Sequence, residues 1–186
     1  MAAGSDGLGV ASFGDEAEAT IRALIDVVGA PDIATGWQDP RDPSNKPLWP
    51  GCPGTTARLL QWTGSLRAVF TNWDGNLSAP GGTVPEPFFA RYGLLHTSPV
   101  RTADGASPGM TLCEARAIYG ARISISDRPD DAVELYSFAI DGTGSPLTRT
   151  GPLRGWLFPP DGADTEQGPD DNWTIGAFTA GVSSTP

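Results

Sequence analysis

Apolar positions along the chain fall first into a helical rhythm and then into strand-like runs, and this succession occurs twice. Ala17, Ile21, Leu24, Ile25 and Val28 make a stripe of helical period. The stripe predicts a helix that begins at Asp15. Asp15 and Glu18 have capping-box spacing, in which each side chain satisfies a free amide of the first turn. Gly29 is placed to end the helix in a left-handed conformation, and Pro31 prevents its continuation. Ahead of the helix, residues 9–13 (GVASF) read as a short strand and MAAGSDG as a flexible lead-in. After it, residues 56–62 (TARLLQW), 65–71 (SLRAVFT) and 87–95 (PFFARYGLL) have strand length and composition. Thr63-Gly64 predicts a two-residue hairpin loop between the first two.

The second half has the same grammar. Thr111 and Glu114 have capping-box spacing, Leu112, Ala115, Ile118 and Tyr119 form a shorter apolar stripe, and Gly120 closes it. Strand-like segments follow at 121–126, 132–140, 152–158 and 172–180. The expected fold is α+β. Two tandem helix-plus-antiparallel-strand repeats, residues 1–98 and 99–186, share one continuous antiparallel sheet with the helices on one face. The two repeats form one structural unit, with the seam near residues 96–104. Self-similarity at roughly 95 residues points to a duplication and not to a solenoid of short repeats.

Composition sharpens this picture. The 24 glycines and 18 prolines are concentrated in 29–54, 75–87 and 142–169, between the periodic segments. Six Trp, seven Phe and three Tyr are an aromatic load that a disordered chain seldom carries. Long loops on a packed scaffold account for both. The net charge of −10 repels phosphate backbones and anionic lipid, which argues against nucleic-acid and membrane-surface roles. No run of 18 apolar residues exists, so no membrane span is expected, and no charged-then-apolar leader opens the chain. The single lysine, Lys46, lies in a Pro-rich loop and outside any GK[ST] phosphate motif, and it is the one residue available for Schiff-base chemistry. His96, Cys52 and Cys113 are too few for a Cys/His zinc site without carboxylates. No metal and no cofactor is expected.

The string GASPGMTLCEARAIYG (105–120) resembles the Gly-Met-Thr-x-x-Glu-Ala…Gly signature of small bacterial envelope modules. These are the SmpA/OmlA-type outer-membrane lipoproteins and the tandem-repeat β-lactamase inhibitory protein. FGDEAEATIRALIDVVGAPD (13–32) looks like a longer version that ends in the same Gly-x-Pro-Asp. The resemblance covers the two helical segments and carries no catalytic residue. It implies that each helix lies on one face of an antiparallel sheet, that the other face is concave and open to a partner, and that the protein acts in the cell envelope or outside the cell. The relatives are expected to tie their loops with several cysteines. Here there are two, and the C-terminal GVSSTP has Ser where a Cys would stand.

Strand alternation then sorts the sheet faces. A two-residue loop at 63–64 would pair Trp62 with Ser65, Leu60 with Arg67 and Arg58 with Val69. Ala57, Leu59, Leu66, Ala68 and Phe70 would fall on the opposite, helix-covered face. Carried to the other strands, the sort places Arg58, Trp62, Arg67, Phe89, Arg91, Tyr136, Arg154 and Trp156 on the open face. Arg, Trp and Tyr are the residues enriched at interface hot spots, because they offer rigid contact area and planar donors. Strand aromatics also pack under loops, and Arg beside an aromatic ring often only shields it.

Other constellations are weaker. Gly105-Ala-Ser107-Pro-Gly109 matches Gly-x-Ser-x-Gly, but no buried strand precedes it and no His follows it, so a helix-start turn is expected. The acidic loop 161–172 lacks the glycine at position 6 of an EF-hand and reads as solvated, as do Asp127, Asp130 and Asp131. His96 reads as a strand-end histidine, and Cys113 as a small buried thiol or as half of a disulfide with Cys52. The expected function is non-catalytic binding of a protein or peptide by the open face, or closure of that face by a homodimer. The alternatives are cell-wall glycan binding with Trp62 or Trp156 stacked on sugar rings, and a hydrolase built on paired carboxylates.

Overall fold

Both helices form where the apolar stripes place them. Helix α1 spans Ala17–Val28 and buries Ala17, Thr20, Ile21 and Leu24. Its cap lies one residue later than the spacing suggested. Glu16 accepts from the amides of Glu18 (2.9 Å) and Ala19 (2.7 Å), and these bonds hold its carboxyl below the usual range. The Asp15 carboxylate instead accepts from the Ser12 amide at 2.8 Å and closes the preceding turn. Gly29 ends the helix at φ 94°, a region that side chains avoid. Helix α2 spans Leu112–Tyr119 and has the reciprocal capping box between Thr111 and Glu114. A single 3-10 turn, Gly120–Arg122, follows it.

The structure, a computed structural model, describes residues 1–40, 42, 44–45, 55–72, 86–96, 98–126, 135–140, 152–164 and 168–181. Among these the fold is α+β, with twelve strands in two sheets and two α-helices. The large sheet is antiparallel and holds β4 (Ile33–Ala34), β5 (Ala57–Trp62), β6 (Leu66–Thr71), β7 (Phe88–Leu94), β9 (Ile123–Ile125), β10 (Tyr136–Ile140), β11 (Leu153–Phe158) and β12 (Thr174–Gly181). Its order is β4-β5-β6-β7-β12-β11-β10-β9. The segment that follows each helix thus forms a run of neighbouring strands, and the two runs meet where β7 pairs with β12.

A second, four-stranded sheet was absent from the sequence expectation. It is made of β1 (Ala2–Gly4), β2 (Gly7–Leu8), β3 (Ala11–Ser12) and β8 (Arg101–Thr102), in the order β3-β2-β1-β8. The N-terminal residues read as a flexible lead-in therefore form a hairpin, with β1 parallel to β8 at the seam. Burial of Ala3 and Leu8 explains why this polar-looking stretch is ordered. The Tyr92 hydroxyl donates to the Gly4 carbonyl at 2.7 Å and ties the hairpin to the large sheet.

One core unites these parts. Ile21 and Leu24 of α1, Leu112 and Ala115 of α2, and Leu8 of the small sheet share a cluster with Leu60, Leu66, Phe70, Tyr92, Phe138 and Phe178 of the large sheet. Both helices and the small sheet therefore cover the same face of the large sheet. Phe138 meets Phe178 edge-on at 5.4 Å and Tyr136 meets Trp173 edge-on at 5.6 Å, a geometry favoured by the ring quadrupoles. Ala57, Leu59 and Val69 form a small satellite cluster on the other face.

Candidate sheet-face interaction surface

Register decides which side chains stand on the face away from the helices. The β5–β6 turn has three residues, Thr63 to Ser65, and Trp62 pairs with Leu66. The Ser65 amide donates to the Trp62 carbonyl at 3.0 Å, with Gly64 at φ 73°. Compared with a two-residue loop, the pairing slips by one residue, and a one-residue slip inverts a strand. The sequence sort was correct for β6 and inverted for β5. Arg67 and Val69 face away from the helices, opposite Gln61 and Leu59, whereas Leu60 and Trp62 enter the core beside Ala68 and Leu66.

Four of the eight candidates consequently leave the proposed surface. Trp62 is buried, and its indole nitrogen donates to the Gly29 carbonyl at 2.9 Å, so it closes the end of α1. Arg58 stands on the helix side. Its guanidinium donates to Glu18 at 3.1 Å and lies 5.8 Å from the Trp37 ring centre. The Trp37 indole donates to the same Glu18 oxygen at 3.1 Å. Phe89 is fully buried against Phe13 and Phe70, because a β-bulge opposite Val69/Phe70 breaks the alternation between it and Arg91. Tyr136 is buried opposite Leu157, beside Trp173.

The other four stay together. Arg67, Arg91, Arg154 and Trp156 all stand on the face away from the helices. One cross-strand row runs Gln61, Arg67, Gly93, Thr179, Arg154, Ala139, Ser124. Arg67 and Arg154 are three strand steps apart in this row, or about 14 Å. Arg91 sits on the strand next to Arg67. Partial burial, followed by the Arg91 charge, lowers the Arg67 pKa. Trp156 is half-buried, and Arg91 and Arg154 are exposed.

Phe158 joins Arg154 and Trp156 on the same side of β11 and is 44% exposed, which makes it the most exposed aromatic side chain of the face. The alternation of PLRGWLF, with Arg154, Trp156 and Phe158 opposite Leu153 and Leu157, is the signal in the sequence that marks it. Its ring lies over Gly176, where an added Cβ would come within 1.8 Å of Phe158 Cε2. Beside Arg154, a depression of about 210 Å³ is lined by Ser124, Ser126, Ser137 and Ala139. No local motif marked those serines. Only the β9–β10–β11 register brings them together.

The remaining candidates have plain surroundings. Ser107 lies in the turn before α2, where its carbonyl accepts from the Met110 amide at 3.4 Å. His96 is exposed at the end of β7. Cys113 is an exposed free thiol on α2, not a buried one, and Cys52 lies outside the described residues. Asp127, Asp130, Asp131, Lys46 and residues 165–167 of the acidic loop also lie outside them. Among the described residues, no group of three His, Cys, Asp or Glu could hold a metal ion. Glu16, Asp42 and Glu114 are held below the carboxylate range by hydrogen bonds from nearby amides and hydroxyls, as caps and turns require. No described helix is long and apolar enough to cross a membrane. No protein-family model, curated protein or solved structure matches the chain.

Proposed function

We propose that this protein is a non-catalytic binding module that engages a protein or peptide through the helix-free face of its large sheet. The observation that carries this reading is the convergence of Arg67, Arg91, Arg154, Trp156 and Phe158 on that face of an acidic chain. Guanidinium groups and large rings side by side combine directional hydrogen bonding with apolar contact, the pairing on which interface hot spots depend.

A tandem duplication is the architecture that best accounts for the element order. Each helix precedes a run of four strands, and the sheet order runs up through β7 and back down from β12. Together with the two Gly-bounded helix motifs, this supports kinship with the envelope modules that the motifs resemble. The cell envelope or the extracellular space is the location that follows from that kinship.

Pull-down from the native envelope fraction tests the reading. Wild type is expected to retain a partner that Arg67→Glu and Trp156→Ala each lose, while both variants keep the wild-type melting temperature. Retention of the same partners by both variants would remove the sheet face from the proposal.

A further inference from the structure

We propose that the helix-free face takes an extended acidic segment of a protein partner. One side-chain carboxylate seats at Arg154 beside the serines of β9 and β10, and apolar neighbours lie on Trp156 and Phe158. This rests on the binding reading above and adds to it the chemistry of the partner.

The charge pattern of the sheet is the first support. The chain carries 22 carboxylate residues. None lies in the eight strands of the large sheet, whose charged residues are Arg58, Arg67, Arg91 and Arg154. Three of these four point away from the helices. The strands of this face are therefore positive on a chain whose net charge is −10, and the face is complementary to carboxylates and not to ammonium groups.

Arg154 has the most suitable surroundings. It makes no ion pair with a described residue. Its cross-strand neighbours, Ala139 and Thr179, are uncharged and short. The adjoining depression of about 210 Å³ can receive a carboxylate, with Ser124, Ser126 and Ser137 at its walls. A guanidinium binds a carboxylate through two parallel N–H···O bonds, and such bonds are stronger than neutral ones.

Spacing supports an extended segment. Arg154, Trp156 and Phe158 alternate along β11, so neighbouring members are about 7 Å apart. An extended chain has the same period, so an acidic side chain and two apolar ones at alternate positions meet all three together. Arg67 and Arg91 provide a second positive point for a further carboxylate. A nucleic-acid strand fits less well, because a run of phosphates longer than this small positive area is repelled by a chain whose net charge is −10.

The test titrates the ¹⁵N-labelled protein with a capped octapeptide that carries glutamate at position 2, leucine at positions 4 and 6, and serine elsewhere, so that the three side chains share one face of the extended peptide. Matched octapeptides with lysine or glutamine in place of glutamate, and a ten-nucleotide oligothymidylate, serve as comparisons. The glutamate peptide is expected to shift amides of β9, β10 and β11, with affinity falling about tenfold or more in Arg154→Glu and Arg154→Gln. Amide spectra of the free variants confirm that they fold. Absence of glutamate-specific shifts, equal shifts by the lysine peptide, tighter binding of the oligonucleotide, or unchanged affinity in both Arg154 variants would each overturn the acidic-segment proposal. A pulled-down partner that is sensitive to Arg67→Glu and Trp156→Ala would leave the binding reading standing even then.

Discussion

Gly155 shows how tightly single positions on this sheet are set. An added Cβ there would lie 2.0 Å from the Ala177 carbonyl oxygen and 2.6 Å from the Phe138 ring. Phe138 in turn packs edge-on against Phe178, which stands two strands away on β12. Gly155→Val is therefore expected to cost about 3 kcal/mol or more, since it overpacks a core of little compliance. Urea unfolding followed by near-ultraviolet circular dichroism measures this. By contrast, an added Cβ at Gly93 meets nothing closer than 3.7 Å, so Gly93→Ala serves as the tolerated comparison. Side-chain identity predicted neither result, because the constraint comes from a ring on a neighbouring strand.

The two helices were legible because their determinants are local: an apolar stripe, a capping residue and a terminal glycine. The α2 capping box is the clearest instance, with the Glu114 amide donating to Thr111 Oγ1 at 3.2 Å and the Thr111 amide donating to Glu114 at 2.7 Å. Thr111→Ala is expected to cost about 1 kcal/mol. That would lower the melting temperature by about 2–4 °C for a chain of this size. Hydrogen bonds from the Thr111 amide and hydroxyl depress the Glu114 pKa below 4.5. A depressed carboxylate contributes stability above its unfolded value and loses it as pH falls through the folded one. The Thr111→Ala deficit should thus shrink as pH drops below about 4, and melts at pH 7 and pH 3 compare the two regimes. The hairpin failed where the helices succeeded. Thr63-Gly64 alone has the residues of a two-residue loop, yet Ser65 belongs to the turn, and that one residue inverts β5 and carries Arg58 and Trp62 to the helix side.

The small sheet bears on how the two strand runs hold together. Its hairpin packs over β7, pairs in parallel with β8, and is pinned by the Tyr92 hydroxyl on Gly4. Thr102 of β8 shares a 2.7 Å hydroxyl contact with Tyr119 of α2, so the N-terminal segment is linked through β8 to the second helix. Burial pushes the Tyr92 pKa well up, with Asp6 and Tyr119 adding to the shift. A tyrosine with a raised folded pKa contributes stability that is complete below the unfolded value, near 10, and lost as pH rises above it. The melting temperature should fall as pH rises from 9 to 12, and less steeply in Tyr92→Phe. Scanning calorimetry over that range checks it, and equal slopes would remove Tyr92 from the account.

Local chemistry, readable residue by residue, was enough for the α+β class, the helix positions, the main strand segments and the acidic, Arg-over-Lys composition. The face of each strand was a different matter. Arg154 and Trp156 were sorted correctly because β11 alternates without interruption between them. Phe89 and Tyr136 were not, because the bulge opposite Val69/Phe70 and the phase of β10 are settled by pairing with distant strands. The serine-lined depression beside Arg154 likewise exists only once β9, β10 and β11 are in register. A strand's side chains alternate with period two, so its sequence defines two sets of residues but leaves open which set meets the helices. That choice belongs to the packed sheet, where apolar burial against α1 and α2 selects one set and leaves the other to solvent.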